Sequence, residues 1–149
     1  MELMNFADEL SMLLKRDLST LARHVQWFPS DELIWRTVPG VANSAGNLVL
    51  HLEGNLREYI GRQLGGIGYV RDREHEFTIK GLSKRELLER VEYLGETIPS
   101  VIASMSSEQL ASTYPEVVLE RELTVQGLLV HLYGHLAGTW DRSTTSGGS

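Results

Sequence analysis

The chain contains no cysteine. That absence excludes a disulfide framework, a thiolate metal site and a cysteine nucleophile together, so any thiol chemistry here needs a thiol brought by a substrate. A positive field is missing as well. Fourteen Lys and Arg stand against twenty Asp and Glu, a formal charge of −6, and no basic run stands out. The electrostatic footprint of a nucleic-acid binder is therefore absent, and no nucleic-acid partner is expected. Long apolar runs are lacking too. None approaches the roughly 20 residues needed to cross a bilayer, and no signal-peptide pattern opens the chain. The expectation is a cytoplasmic protein with no membrane partner.

What the sequence does have is helical periodicity. With 42% hydrophobic residues over 149 positions it suits one domain with a substantial core. Leu3, Phe6, Ala7, Leu10, Leu13, Leu14, Leu18, Leu21 and Val25 recur at three- and four-residue steps, which predicts a first long helix ending near Trp27, before Pro29. Ser44 is the predicted N-cap of a second helix with a seam of Leu48, Leu52, Leu56, Ile60 and Leu64, stopped by Gly65 and Gly66. The connection "IGYVRDREHEFTIKG" is too polar for a core and too long for a tight turn, so it is expected to cross one end of the domain. Ser83 and Glu86 read as a capping box opening a third helix that Pro99 should kink or split. After a short helical turn and an extended return, Thr124 caps a fourth helix carrying Leu128, Leu132 and Leu136. The fold class is all-α, a four-helix bundle with a long middle connection.

The fourth helix carries His131 and His135 one turn apart. Taking Leu128 as zero on a helical wheel, His135 falls at about −20°, His131 at about −60° and position 139 at about +20°. His135 faces the core and His131 lies at the edge of the apolar stripe. Two imidazoles at i and i+4 can share one metal ion, but the residue one turn past His135 is Thr139. In the second helix His51 borders the seam, with Asn47, Asn55 and Glu58 along its side as a polar strip. The bland reading stands beside this one: edge histidines are commonly hydrogen-bonded structural residues, and His-x-x-x-His arises by chance in leucine-rich helices. His24 abuts a helix end, and His75 sits in "DREHEF", which a solvated loop explains.

The stretches "NSAGNLVLHLEGNLREYIGRQLGG" and "TVQGLLVHLYGHLAG" are similar to the second and fourth helices of DinB-like proteins. That group includes the YfiT-like bacillithiol S-transferases and the mycothiol-dependent maleylpyruvate isomerases. The resemblance spans nearly the whole chain. It implies a four-helix bundle of the DinB/YfiT type, a homodimer, and a divalent metal held by one histidine of the second helix and a His-x-x-x-His pair on the fourth. His51 matches the first ligand and His135 the first of the pair, and Thr139 stands where the second is expected. His131 is then a substitute ligand or a neighbour of the site. The implied activity is that of a metal-dependent enzyme, with zinc or nickel, activating a low-molecular-weight thiol for transfer to an electrophile. Glu58 and Asn55 are the nearest candidates for proton transfer and substrate orientation. The alternative is a non-catalytic dimeric binding module with a vacant or structural site.

The end of the chain bears on this. "AGTWDRSTT", residues 137–145, has a codon spelling in which restoring a single guanine yields Ala-Gly-His-Leu-Gly-Gln-Ile-Asp-Tyr. That run places a histidine at position 139 and follows it with the family's Leu-Gly-Gln-Ile-like stretch. The expected organisation is a domain over 1–140 and a tail over 141–149 that is either frameshifted or a native or engineered disordered segment.

Overall fold

A computed structural model describes the backbone of residues 3–147 and the side chains of residues 3–138. The architecture is all-α among the described residues, with no strand beyond two isolated bridges. Helix α1 is Phe6–Trp27, and a single turn, α2, covers Asp31–Ile34. Helix α3, Ala45–Leu56, runs into a wider π-type segment, Arg57–Arg62, and a last turn, α4, Gln63–Gly65. The middle connection contains α5, Arg73–Thr78. Helix α6 is Lys84–Ala103, α7 is Ser107–Ala111 and α8 is Val125–Gly147. No described helix is long and apolar enough to cross a membrane.

The helix ends follow from local chemistry. Asn5, Ser44 and Ser83 each accept a hydrogen bond from the backbone N–H three residues on, satisfying a donor that the first helical turn leaves orphaned. Thr124 does the same for Gly127 at the start of α8. Gly66 ends the second long helix at φ 65°, a left-handed conformation that glycine adopts without a Cβ clash. The α1 terminus is tied down from a distance: the Lys84 ammonium donates to the carbonyls of Gln26 and Phe28 at 3.1 and 2.7 Å.

Four expectations need correction. Ser83 and Glu86 form only half of a capping box; the reciprocal box joins Ser106 and Gln109 at the start of α7. Pro99 does not split α6, which passes through it unbroken; the Ser11 hydroxyl donates to the Pro99 carbonyl at 2.8 Å. Leu3 is almost fully exposed, because the helix begins three residues later. The middle connection is not wholly a surface crossing, since Glu76 of α5 is buried. The backbone of α8 continues past Gly138 to Gly147, and the side chains from Thr139 onward, where the expected tail begins, lie outside the described ones.

One apolar core joins the elements. Leu10, Leu14, Leu18 and Leu21 of α1, Leu52 and Leu56 of α3, Leu87, Leu94 and Ile98 of α6, and Leu128, Leu132 and Leu136 of α8 are all buried in it. Trp35 closes one flank with its indole N–H donating to the Leu82 carbonyl at 2.8 Å. Gly46 lies under that ring, where a Cβ would come within 2.8 Å of it.

Candidate functional site

The core brings α3 against α8, and with them His51 against His135. Their ring centroids are 5.4 Å apart with planes at 72°. The separation can be tested against the geometry of a shared ion. With ring nitrogens at about 2.0–2.1 Å from zinc, each centroid stands about 3.2 Å from the metal, so two rings at a tetrahedral angle lie about 5.2 Å apart and cannot exceed about 6.4 Å. His51 and His135 fit. His131, at 6.5 Å from His135, does not share an ion with it in this arrangement. Among the described residues no group of three or more His, Asp or Glu side chains is placed to hold a metal. The side chain at position 139 lies outside the described ones.

His51 is anchored on its other side. Its Nδ1 is 3.2 Å from Glu76 Oε1, and its ring stacks at a tilt on Phe77, centroids 5.1 Å apart. Both partners come from α5, in the polar connection. Arg71 grips the same carboxylate, Nε to Oε2 at 2.8 Å and Nη2 to Oε1 at 3.1 Å. Burial alone pushes the Glu76 carboxyl up, but the hydrogen bonds from His51 and Arg71 and the Arg71 charge outweigh it and hold the group below its ordinary value. Glu76 therefore stays ionised. The Asn47 amide donates to the carbonyls of Glu76 and Ile79 at 3.0 and 2.9 Å, pinning the backbone of α5 to α3. Asn47 is thus a clamp rather than part of an open polar strip.

The remaining sequence candidates are placed less tightly. Asn55 is half-buried one turn beyond His51. Glu58 lies in the π-type segment, where Arg62 Nε bonds both of its oxygens at 2.9 and 3.1 Å and Nη2 bonds Oε1. The Arg62 guanidinium holds the Glu58 carboxyl below its ordinary range, so it is an acceptor at neutral pH and not a proton donor. The Tyr114 hydroxyl donates to the Tyr59 carbonyl of that segment at 2.7 Å. Its burial pushes the phenol up, so it remains a donor. His75 is exposed, as its sequence setting suggests.

Sequence reasoning passed over Glu76 and Arg71. The signal that could have found them is Gly54, a glycine in the interior of an apolar helix, which costs about 1 kcal/mol against alanine unless something needs the space. A Cβ at Gly54 would overlap Glu76 Oε2. Two clefts lie elsewhere, about 330 Å³ beside Asn5, Ser106 and Gln126 and about 290 Å³ beside Glu53, Arg57 and Arg90, and neither is lined by a histidine. The fold and site define an all-α protein in which two half-buried histidines meet and a buried carboxylate holds one of them, His51. Compared with known proteins, the chain matches no protein-family model and no curated protein.

Proposed function

We propose that the chain is a four-helix bundle of the DinB/YfiT type and a homodimeric cytoplasmic enzyme that activates a low-molecular-weight thiol for transfer to an electrophile with the help of a divalent metal. The observation that supports this best is the meeting of His51 and His135 at a centroid separation suited to two imidazoles on one ion. Zinc or nickel would be held by these two rings and by a third donor, which the resemblance puts at position 139. Bound there, the ion would favour the thiolate form of the incoming thiol near neutral pH, a need that follows from a chain without cysteine. Asn55, one helical turn from His51, is positioned in sequence to orient the substrate. Glu58 serves as a proton acceptor only when Arg62 releases it.

The second reading, a dimeric binding module with a vacant or structural site, draws support from one observation: no three ligating side chains converge among the described residues. Metal analysis of the purified chain separates the two. Stoichiometric zinc or nickel, together with thiol transfer that is lost in His51→Ala and His135→Ala, supports the enzyme. Absence of both, in the chain as it stands and in Thr139→His carrying the Leu-Gly-Gln-Ile-like run, supports the module.

A further inference from the structure

The histidine pair does not by itself explain why a carboxylate from the middle connection is buried against α3. Glu76 Oε1 and Arg71 Nη2 both approach His51 Nδ1, at 3.2 and 3.4 Å. Two arrangements compete at that nitrogen. Either Nδ1 carries a proton and donates to Glu76, or Nδ1 is bare and accepts from Arg71. Arg71 directs Nε–H and one Nη2 proton to the Glu76 oxygens, at 2.8 and 3.1 Å, which leaves its second Nη2 proton for the longer approach to Nδ1. A bare Nδ1 would also set its lone pair against a carboxylate oxygen at 3.2 Å, whereas a protonated one turns that contact into a charge-assisted hydrogen bond. The balance favours Nδ1–H. A neutral imidazole protonated at Nδ1 presents Nε2 as its free acceptor.

The placement of Glu76 is over-determined. Gly54 makes the seat, because any side chain there would strike Glu76 Oε2. Asn47 holds the Glu76 carbonyl, so backbone and side chain are both fixed. Asn47, Gly54 and His51 all lie on α3.

We propose that Glu76, clamped by Arg71 and seated over Gly54, is a positioning residue that fixes His51 as the Nδ1–H tautomer and thereby presents Nε2 to the space shared with the His135 ring. Its consequence for an ion rests on the reading of His51 and His135 as metal ligands. A ligand whose tautomer and ring angle are already set does not have to be reordered when the ion arrives, which is the usual service of a carboxylate behind a metal-bound histidine.

The test uses the full chain, first without metal. Long-range proton–nitrogen correlation spectra of the His51 ring, recorded above its own titration, read the tautomer directly. The expected result is Nδ1–H in the wild type and a shift toward Nε2–H in Glu76→Gln and in Gly54→Ala, which keeps the carboxylate but displaces it. An Nε2–H tautomer in the wild type overturns the proposal, as does an unchanged Nδ1–H tautomer in variants that remain folded by circular dichroism. If Gly54→Ala does not fold, Glu76→Gln, which keeps the shape and volume of the side chain, carries the comparison. Zinc titration is the second arm, with affinity expected to fall roughly 10–100-fold in Glu76→Gln. Equal zinc affinity in wild type and Glu76→Gln overturns the positioning role and leaves the metal reading standing. A wild type that binds no zinc overturns the metal reading, and the tautomer comparison then decides the role of Glu76 alone.

Discussion

Two buried carboxylates lie against helix α3, and they are built differently. Glu53 belongs to the helix and pairs with Arg90 at 2.8 Å and Arg57 at 3.5 Å. Its own side chain is 5% exposed, but those arginines are 42% and 28% exposed. Arg57 also lies 4.4 and 5.0 Å from the ring centroids of Tyr69 and Tyr93, so its cation keeps aromatic company without the carboxylate. Glu76 arrives from α5, and both its partners, Arg71 and His51, are only 12% exposed. The first pair can return its cations to water when it is broken. The second cannot, and one of its members is a residue type that binds metal. Equal burial of a carboxylate thus marks a structural ion pair in one case and a braced histidine in the other.

The difference predicts unequal costs. Glu76→Ala strands Arg71 in a closed site and is expected to destabilise the fold by about 3–5 kcal/mol. Glu53→Ala leaves cations that solvent can reach and is expected to cost about 1–3 kcal/mol. Urea unfolding of the two variants measures both. Equal losses would break the comparison, because they would mean that the exposure of the partners does not decide the penalty.

The apolar layer supplies the scale. Leu52, between His51 and Glu53 on α3, and Leu132, between His131 and His135 on α8, are both buried. Truncation of either to alanine is expected to cost about 2–5 kcal/mol. A loss below about half a kcal/mol at either would mean that the helix faces presenting the histidines are held by something other than this core.

Two glycines sharpen the contrast further. At Gly54 an added methyl meets the Glu76 carboxylate, whereas at Gly61, in the π-type segment, the nearest atom to such a methyl is Ile98 Cδ1 at an ordinary 3.8 Å. Gly54→Ala is therefore expected to lose about 1–3 kcal/mol by overpacking. Gly61→Ala should change stability little or raise it by up to about 1 kcal/mol, since alanine loses less backbone freedom on folding. Thermal unfolding compares them. A neutral Gly54→Ala would show that Glu76 has another place to go.

What could be read from sequence divides along the same line. The C-terminal end of α1, the caps at Ser44 and Thr124, the stop at Gly66 and the stripes of Leu14, Leu52 and Leu132 were legible, because each depends on residues within a turn or two of one another. The approach of His51 to His135 was legible from their helix faces and from the family resemblance. Glu76 was not, since its burial depends on Arg71, on a seat at Gly54 and on Asn47 holding the α5 backbone, all beyond local periodicity. Glu53 escaped for a similar reason: its main partner, Arg90, stands on another helix. Charge patterning reads "DREHEF" as solvated, and for His75 that is right.

The smallest effect concerns a third carboxylate, at the exposed limit. Glu58 is 16% exposed and bound to Arg62, one turn along and 41% exposed. Because the Arg62 hydrogen bond lowers the folded pKa of Glu58 below its ordinary 4.5, the pair contributes stability that is present above that value. The contribution is lost as pH falls through the depressed folded value, where the carboxylate takes up its proton in both states. Glu58→Gln should thus be slightly less stable than the wild type at neutral pH, by less than any of the destabilised variants above, with the gap closing below pH 4.5 and narrowing in high salt, as screening of exposed pairs requires. Urea midpoints across the acid range follow it. A gap that instead widens toward low pH would mean that Glu58 is held in its protonated form. It would then be a proton donor of the kind a transferase needs, and the ranking of the three carboxylates around α3 would have to be reversed.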